Sequence, residues 1–419
     1  MLTYPAKYRY LLLAIVVLLA ARIVTLPVSP PGFYIDEFAT EANVASMLHE
    51  GLKARGQTWP LFSDNGGGGF TTPTYLYPLV AWSAFFGDSP LALRAFSEFV
   101  TILALAVLAA GLRYWLGTKL ALISVIVGLA LPWSWLQGSL AWDPALVPLL
   151  VAVGFLSLTT LLHVTRRQLR TISLFILPLS LLALAYTYPP CRVTAPLLYI
   201  GAYALMLHKR KISWRSTLAS CAGTAIVALP LLLFIIEPSA HMRSGELSVF
   251  RGHSILAGLK QTLVNFGGLL SPIFLFITGD PNLRHSTGRQ GMLGVASITP
   301  IIALSAFAVR RHLRVGWKIA LTHPKQLLLL IAITGIIASL LGSALTNQGQ
   351  PHSLRATAAW PFFAITLTLG WSAIIDQPRR WVLWVAIAIF AASTTLYAID
   401  LYHYYPIRAS TAFNVHKNP

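Results

Sequence analysis

The sequence predicts an all-α, polytopic membrane protein of about eleven transmembrane helices, and three observations predict it. The 419 residues are 56% hydrophobic and only 11% charged, where ordinary soluble domains carry about 25% charged residues. Apolar runs recur along the whole chain, and mean hydropathy is +0.68. A run of about 20 apolar residues crosses a bilayer as a helix, because only a closed backbone hydrogen-bond ladder tolerates hydrocarbon. Basic residues fall at every second connection between these runs. A soluble enzyme, a disordered chain and a collagen-like chain are excluded. Two cysteines exclude a disulfide scaffold and a cysteine-based zinc site.

The predicted spans are 10–28, 91–112, 120–137, 144–164, 172–188, 193–207, 216–236, 292–309, 326–345, 354–375 and 381–400. Six basic segments separate them: Lys7 and Arg9; Arg113 and Lys119; Arg166, Arg167 and Arg170; Lys209, Arg210, Lys211 and Arg215; Arg310, Arg311, Arg314, Lys318 and Lys325; Arg379 and Arg380. The positive-inside rule makes all six cytoplasmic, so the N-terminus lies inside and the C-terminus outside. The formal charge of +18 is then an orientation signal and gives no support to nucleic-acid binding. The first span also has the form of a signal peptide; we read it as an uncleaved anchor. Residues 73–86 are apolar but short, aromatic and proline-broken, and counting them as a span would invert every later helix. They read as a helix in the outer interface.

Two outer loops are long, 29–90 and 237–291, and long loops in a compact protein are usually functional. The first carries an amphipathic stretch, Phe38 to Arg55, with Phe38, Ala45, Leu48 and Leu52 on one predicted face. The second carries an apolar stretch near Ile255 to Ile277 that reads as interfacial or re-entrant. Cys191 and Cys221 fall at opposite ends of their spans, so no disulfide is expected. No soluble C-terminal domain is evident.

Scarce charges on the outer side are the candidates for chemistry. Asp36 and Glu37 stand in PGFYIDEF, where the first span emerges. A carboxylate at a membrane boundary suits a general base; the alternative is that Asp36 caps the following helix. Asp143, in SLAWDPAL, opens a span on the same side, with Pro144 placed as in an ordinary helix start. Arg284 and His285, with His352 and Arg355, are outer cations, and arginine matches phosphate oxygens bidentately. Snorkelling to headgroups suits Arg243, Arg251 and Lys260 better. Asp64, Asn65 and four glycines form a loop that is not a P-loop, since no Lys-Ser or Lys-Thr follows. Arg94 and Glu98, spaced i, i+4, are expected to pair. No HExxH or i, i+4 histidine spacing supports zinc.

In their order and sidedness, YIDEF, TPTYLYPL, WDP, AYTYPPCRVTAPLL, GDPNLR and HSLR resemble the polytopic glycosyltransferases of the GT-C fold. The likeness is to the family 39 and protein O-mannosyltransferase group and to the related aminoarabinose transferases of lipid A. It implies a single transmembrane glycosyltransferase domain over 1–419, moving a hexosyl or pentosyl group from a polyprenyl-phosphate donor to a lipid or glycan hydroxyl at the outer face of the plasma membrane. By that resemblance Asp36 is the base of an inverting displacement, Glu37 and Asp143 orient the acceptor or the base, and Arg284, His285, His352 and Arg355 hold the lipid phosphate. No cofactor is assigned, and a divalent metal at the two-carboxylate site is left open. The chain departs from longer members by ending at Pro419, and from the protein mannosyltransferases by having Phe38 and Ala39 where they carry a histidine. Both departures point away from a protein acceptor. A flippase of lipid-linked sugars is the rival class; Arg22 is the only deep charge and no inverted repeat is seen, which counts against it. A non-catalytic assembly subunit is a third.

Overall fold

The computed structural model describes residues 8–54, 57–64, 69–237, 245–315 and 323–413. Lys7, Arg55, the run 65–68, His241, Arg243 and Lys318 lie outside them. Among the described residues eight helices are long and apolar enough to cross a membrane.

One of these eight is two passes. Pro90–Ala130 breaks at Gly117, whose φ of 80° and ψ of 171° are not helical, a conformation glycine adopts without a Cβ penalty. The two arms fold against each other, so that a Cβ on Gly128 would run into Leu105. These arms are the predicted 91–112 and 120–137. The second ends earlier than predicted, because Pro132 restarts the chain as a short helix, Pro132–Gly138. Arg9–Thr25, Cys191–His208 and Ile298–Val315 are shorter helices at the positions of predicted spans.

The stretch Ile255–Ile277 satisfies a span by length and composition, but its contacts keep both ends on one side. Before it, Val249 N–H donates to Leu345 O at 3.1 Å; after it, Asp280 Oδ2 accepts from Ser353 N–H at 2.7 Å. Both partners belong to the loop that follows helix Pro324–Ala344. The stretch therefore lies along that end of the bundle. Pro73–Phe86, with 14 residues, is about 21 Å long at 1.5 Å per residue, too short for a hydrocarbon core of about 30 Å.

Loops segregate to two ends. At the basic end, Trp115 packs on His163 at 4.3 Å, Arg170 donates to Lys211 O at 2.9 Å, and Lys325 pairs with Asp376 at 3.2 Å. The acids and cations singled out above collect at the other end. Between the ends, Trp133, Phe155, Trp360 and Phe363 belong to the main apolar core, while helix Trp214–Ile236 buries only Thr217 and Leu231. Such an apolar exterior is stable against lipid, and the protein is an integral membrane protein.

Two expectations about local packing are corrected. The amphipathic helix ends at His49, because Gly51 and Leu52 turn left-handed at φ 72° and 62°. Its buried face carries Thr40, Asn43, Val44 and Met47, while Phe38 is exposed. Polar Asn43 can be buried because Ser63 donates to its Oδ1 and its Nδ2 donates to Thr71. Nor do Arg94 and Glu98 pair with each other. Glu98 takes the deep charge Arg22, with Nε to Oε1 at 2.5 Å and Nη2 to Oε2 at 3.0 Å, and Arg22 also donates to Leu129 O and Ser134 O.

Candidate active site

Glu37 and Asp36 stand side by side at the start of Ile35–His49 and have opposite surroundings. Tyr34, extended at φ −92° and ψ 160°, directs the chain into the helix, and its N–H donates to Glu37 Oε2 at 3.1 Å. Arg94 meets the same carboxylate in a fork, Nε to Oε1 at 2.9 Å and Nη2 to Oε2 at 2.8 Å. Ala141 N–H adds a fourth bond at 2.9 Å. Glu37 is fully buried, with both oxygens occupied. It ties the helix start to two distant segments and does not line the cavity. Helix capping, expected of Asp36, falls to Glu37. Asp36, one residue earlier, is half-buried and lines the cavity.

Asp143 opens a 3-10 turn, Asp143–Leu146, and does not act as a cap. Its Oδ2 accepts from Thr72 N–H at 3.0 Å, fixing the entry of helix Pro73–Phe86 to the site. It lines the same cavity as Asp36.

The opposite wall is cationic. After Asp280 the chain makes two side-chain turns, Asp280 Oδ1 accepting from Asn282 N–H at 2.8 Å and Asn282 Oδ1 from Arg284 N–H at 3.0 Å. They present Arg284, whose guanidinium lies 4.1 Å from the Tyr34 ring centroid. Its Nη1 donates to Tyr34 Oη at 2.8 Å and its Nε to Ala412 O at 3.0 Å. That last partner belongs to a terminal helix, Tyr405–Phe413, that continues the last span through a π-turn. Tyr405 Oη donates to Leu283 O at 2.6 Å and Arg408 Nη2 to Thr287 O at 3.0 Å. Sequence reading stopped the last span at 400 and missed this brace. Its signal was Tyr405, Ala409 and Phe413, spaced by four and all fully buried.

His285 is buried against Asp280, with Nδ1 3.2 Å from Oδ2, and its ring lies 4.5 Å from that of His352. Burial, with His285 and Arg355 beside it, holds the His352 imidazole well below the usual histidine range. Arg355 is anchored through Nη1 to Thr346 Oγ1 at 2.9 Å and Gln348 O at 2.7 Å. Arg192 is a cavity cation that sequence reading passed over. Its buried Nε has no hydrogen-bond partner, and its guanidinium sits 5.8 Å from the Phe234 ring centroid.

Asp36, Asp143, Arg192, Arg284, His352 and Arg355 thus share one cavity of about 630 Å³. Aromatic rings, among them Tyr34, Trp142, Tyr188 and Phe234, complete its lining. Phe234 comes from the lipid-facing helix Trp214–Ile236, so the cavity reaches the membrane side of the bundle. A cavity of similar size, about 620 Å³, opens beside Gln377, Arg379 and Trp381, but no carboxylate lines it.

The helical arrangement that carries this cavity is similar to solved structures. ArnT from Cupriavidus metallidurans in the apo state superposes with a TM-score of 0.55 at 12% identity, over 96% of this chain and 76% of that one. The same protein bound to undecaprenyl phosphate gives 0.54 at 13%, over 96% and 77%. The chain has the GT-C fold. The Archaeoglobus fulgidus oligosaccharyltransferase in complex with Zn and sulfate gives 0.52 at 14%, over 93% of this chain and 53% of that one, so the chain spans about half the length of the archaeal protein. No protein-family model and no curated protein matches the sequence. At these identities the likeness is one of GT-C fold, and the site is read from its own residues.

Proposed function

We propose that the protein is a membrane glycosyltransferase that moves a sugar from a polyprenyl-phosphate donor to a hydroxyl of a lipid or glycan acceptor. The observation that carries this reading is the cavity itself, in which Asp36 and Asp143 share a space with Arg192, Arg284 and Arg355. The fold shared with ArnT, a structure of which holds undecaprenyl phosphate, supports the donor class. In this reading Asp36 takes the proton of the acceptor hydroxyl as its oxygen attacks the anomeric carbon. The new C–O bond forms as the bond from that carbon to the phosphate oxygen breaks, on the opposite face of the sugar, so the configuration inverts. The electron pair leaves with the polyprenyl phosphate, whose charge Arg284, Arg355 and Arg192 match, with His352 and His285 at the same wall. A leaving group stabilised in this way needs no separate acid. Asp143 orients Asp36 or the acceptor. The positive-inside pattern supports a reading with the basic end in the cytoplasm and this cavity at the outer surface.

The test uses purified full-length protein and a labelled polyprenyl-phosphate sugar. Release of the sugar to an acceptor or to water is the expected result. Donor binding without any transfer, across lipid and glycan acceptors, would give the case to a carrier or flippase.

A further inference from the structure

Beside the donor cavity, three side chains that no reading above uses together converge: Asp280, His285 and His352. One ligand atom from each lies within 4.8 Å of the others. We propose that this trio binds a zinc ion. The metal proposal stands on these residues alone; only its bearing on the donor phosphate rests on the glycosyltransferase reading.

One edge of the trio already has the spacing of a loaded site. Tetrahedral zinc with bonds of about 2.0–2.2 Å sets neighbouring ligand atoms about 3.3 Å apart. Asp280 Oδ2 and His285 Nδ1 stand 3.2 Å apart. His352, whose ligand atom lies within 4.8 Å of the other two, would complete the third position by a side-chain shift. The backbone around the trio is already locked: Ser353 N–H donates to Asp280 Oδ2 at 2.7 Å, and Ser353 Oγ donates to His285 O at 3.2 Å. These bonds tie the 280–285 loop to the 352 loop and orient the carboxylate, as outer partners do around metal sites.

Charge points the same way. Asp280 is 1% exposed, and among the described residues its one ion-pair partner is His285. A buried carboxylate is costly without positive charge beside it. Arg284, the nearest arginine in sequence, faces away to Tyr34 and Ala412. Two imidazoles and one carboxylate suit zinc, whereas magnesium and calcium prefer oxygen throughout. Three protein ligands leave a fourth position, and His285 and His352 both border the cavity. An ion there would offer that position to a donor phosphate oxygen.

Tag-free full-length protein in detergent, stripped with a chelator and reloaded with zinc, is expected to keep one zinc per chain after desalting. Its thermal unfolding midpoint is expected to rise with added zinc. His352→Gln should weaken retention by more than the roughly 10- to 100-fold that loss of an outer partner costs. His403→Gln, altering an exposed histidine, should retain the ion as wild type does. Equal midpoints for stripped wild type and stripped His352→Gln would show that the variant is folded. Failure of reloaded wild type to hold stoichiometric zinc, or full retention by His352→Gln, would overturn the proposal and leave Asp280 and His285 as a buried ion pair. Neither result depends on donor or transfer.

Discussion

Two polar clusters stand at the same end of the bundle and differ in whether their charged groups border open space. In the clamp, Glu37 meets Arg94, Tyr34 N–H and Ala141 N–H, and Glu98 meets Arg22. All four charged side chains are buried. In the cavity, Asp36, Asp143 and Arg192 border open space, and Arg192 Nε lacks a partner. A saturated buried ion pair holds segments together, whereas charges that border a cavity can be reached by a ligand. The lesson is sharpest at Asp36 and Glu37, adjacent carboxylates with different surroundings.

The contrast can be broken most forcefully at the clamp. Glu37→Ala leaves Arg94 buried without its carboxylate, and removing one partner of a buried pair costs about 3–5 kcal/mol. The expected outcome is a large fall in thermal midpoint and in yield from detergent; a midpoint equal to wild type would dissolve the distinction. On the cavity side, Arg192→Gln is expected to weaken polyprenyl-phosphate binding by about 1.5–3 kcal/mol, the worth of a hydrogen bond to a charged group, with an unchanged midpoint. Titration of the lipid phosphate against both proteins checks it. Tyr405→Phe, which deletes the bond to Leu283 O, should cost about 1 kcal/mol of stability, read by thermal unfolding. Arg251→Gln breaks a surface pair with Glu246 at 3.8 Å and should change stability by less than about 0.5 kcal/mol.

What was legible in the sequence follows from range. Spans and their alternation could be read because hydropathy and basic loops are local, and even the Gly117 hairpin was visible as a basic turn between two apolar runs. That Asp36, Asp143 and Arg355 border one cavity agrees with their shared sidedness. The division between Asp36 and Glu37 was not legible, since Glu37's partners lie 57 and 104 residues away. Arg94 and Glu98 misled for the same reason: local spacing suggested a pair, and tertiary packing gave each a better-placed partner. The return of the 245–291 segment to its own end of the bundle agrees with the interfacial or re-entrant reading of Ile255 to Ile277, while the close approach of the His285 and His352 rings was not legible, because the two lie 67 residues apart. Tyr405, Ala409 and Phe413 were a readable stripe, passed over because the last span was closed at 400.

The division of labour between Asp36 and Glu37 is tested most directly by the transfer rate of Asp36→Asn, measured with labelled polyprenyl-phosphate sugar. A general base contributes roughly 10²- to 10⁴-fold. The expected result is a loss of that order in transfer, with donor binding and thermal midpoint as in wild type. Full transfer by Asp36→Asn would contradict the assignment of the base and with it the division drawn between the cavity and the clamp.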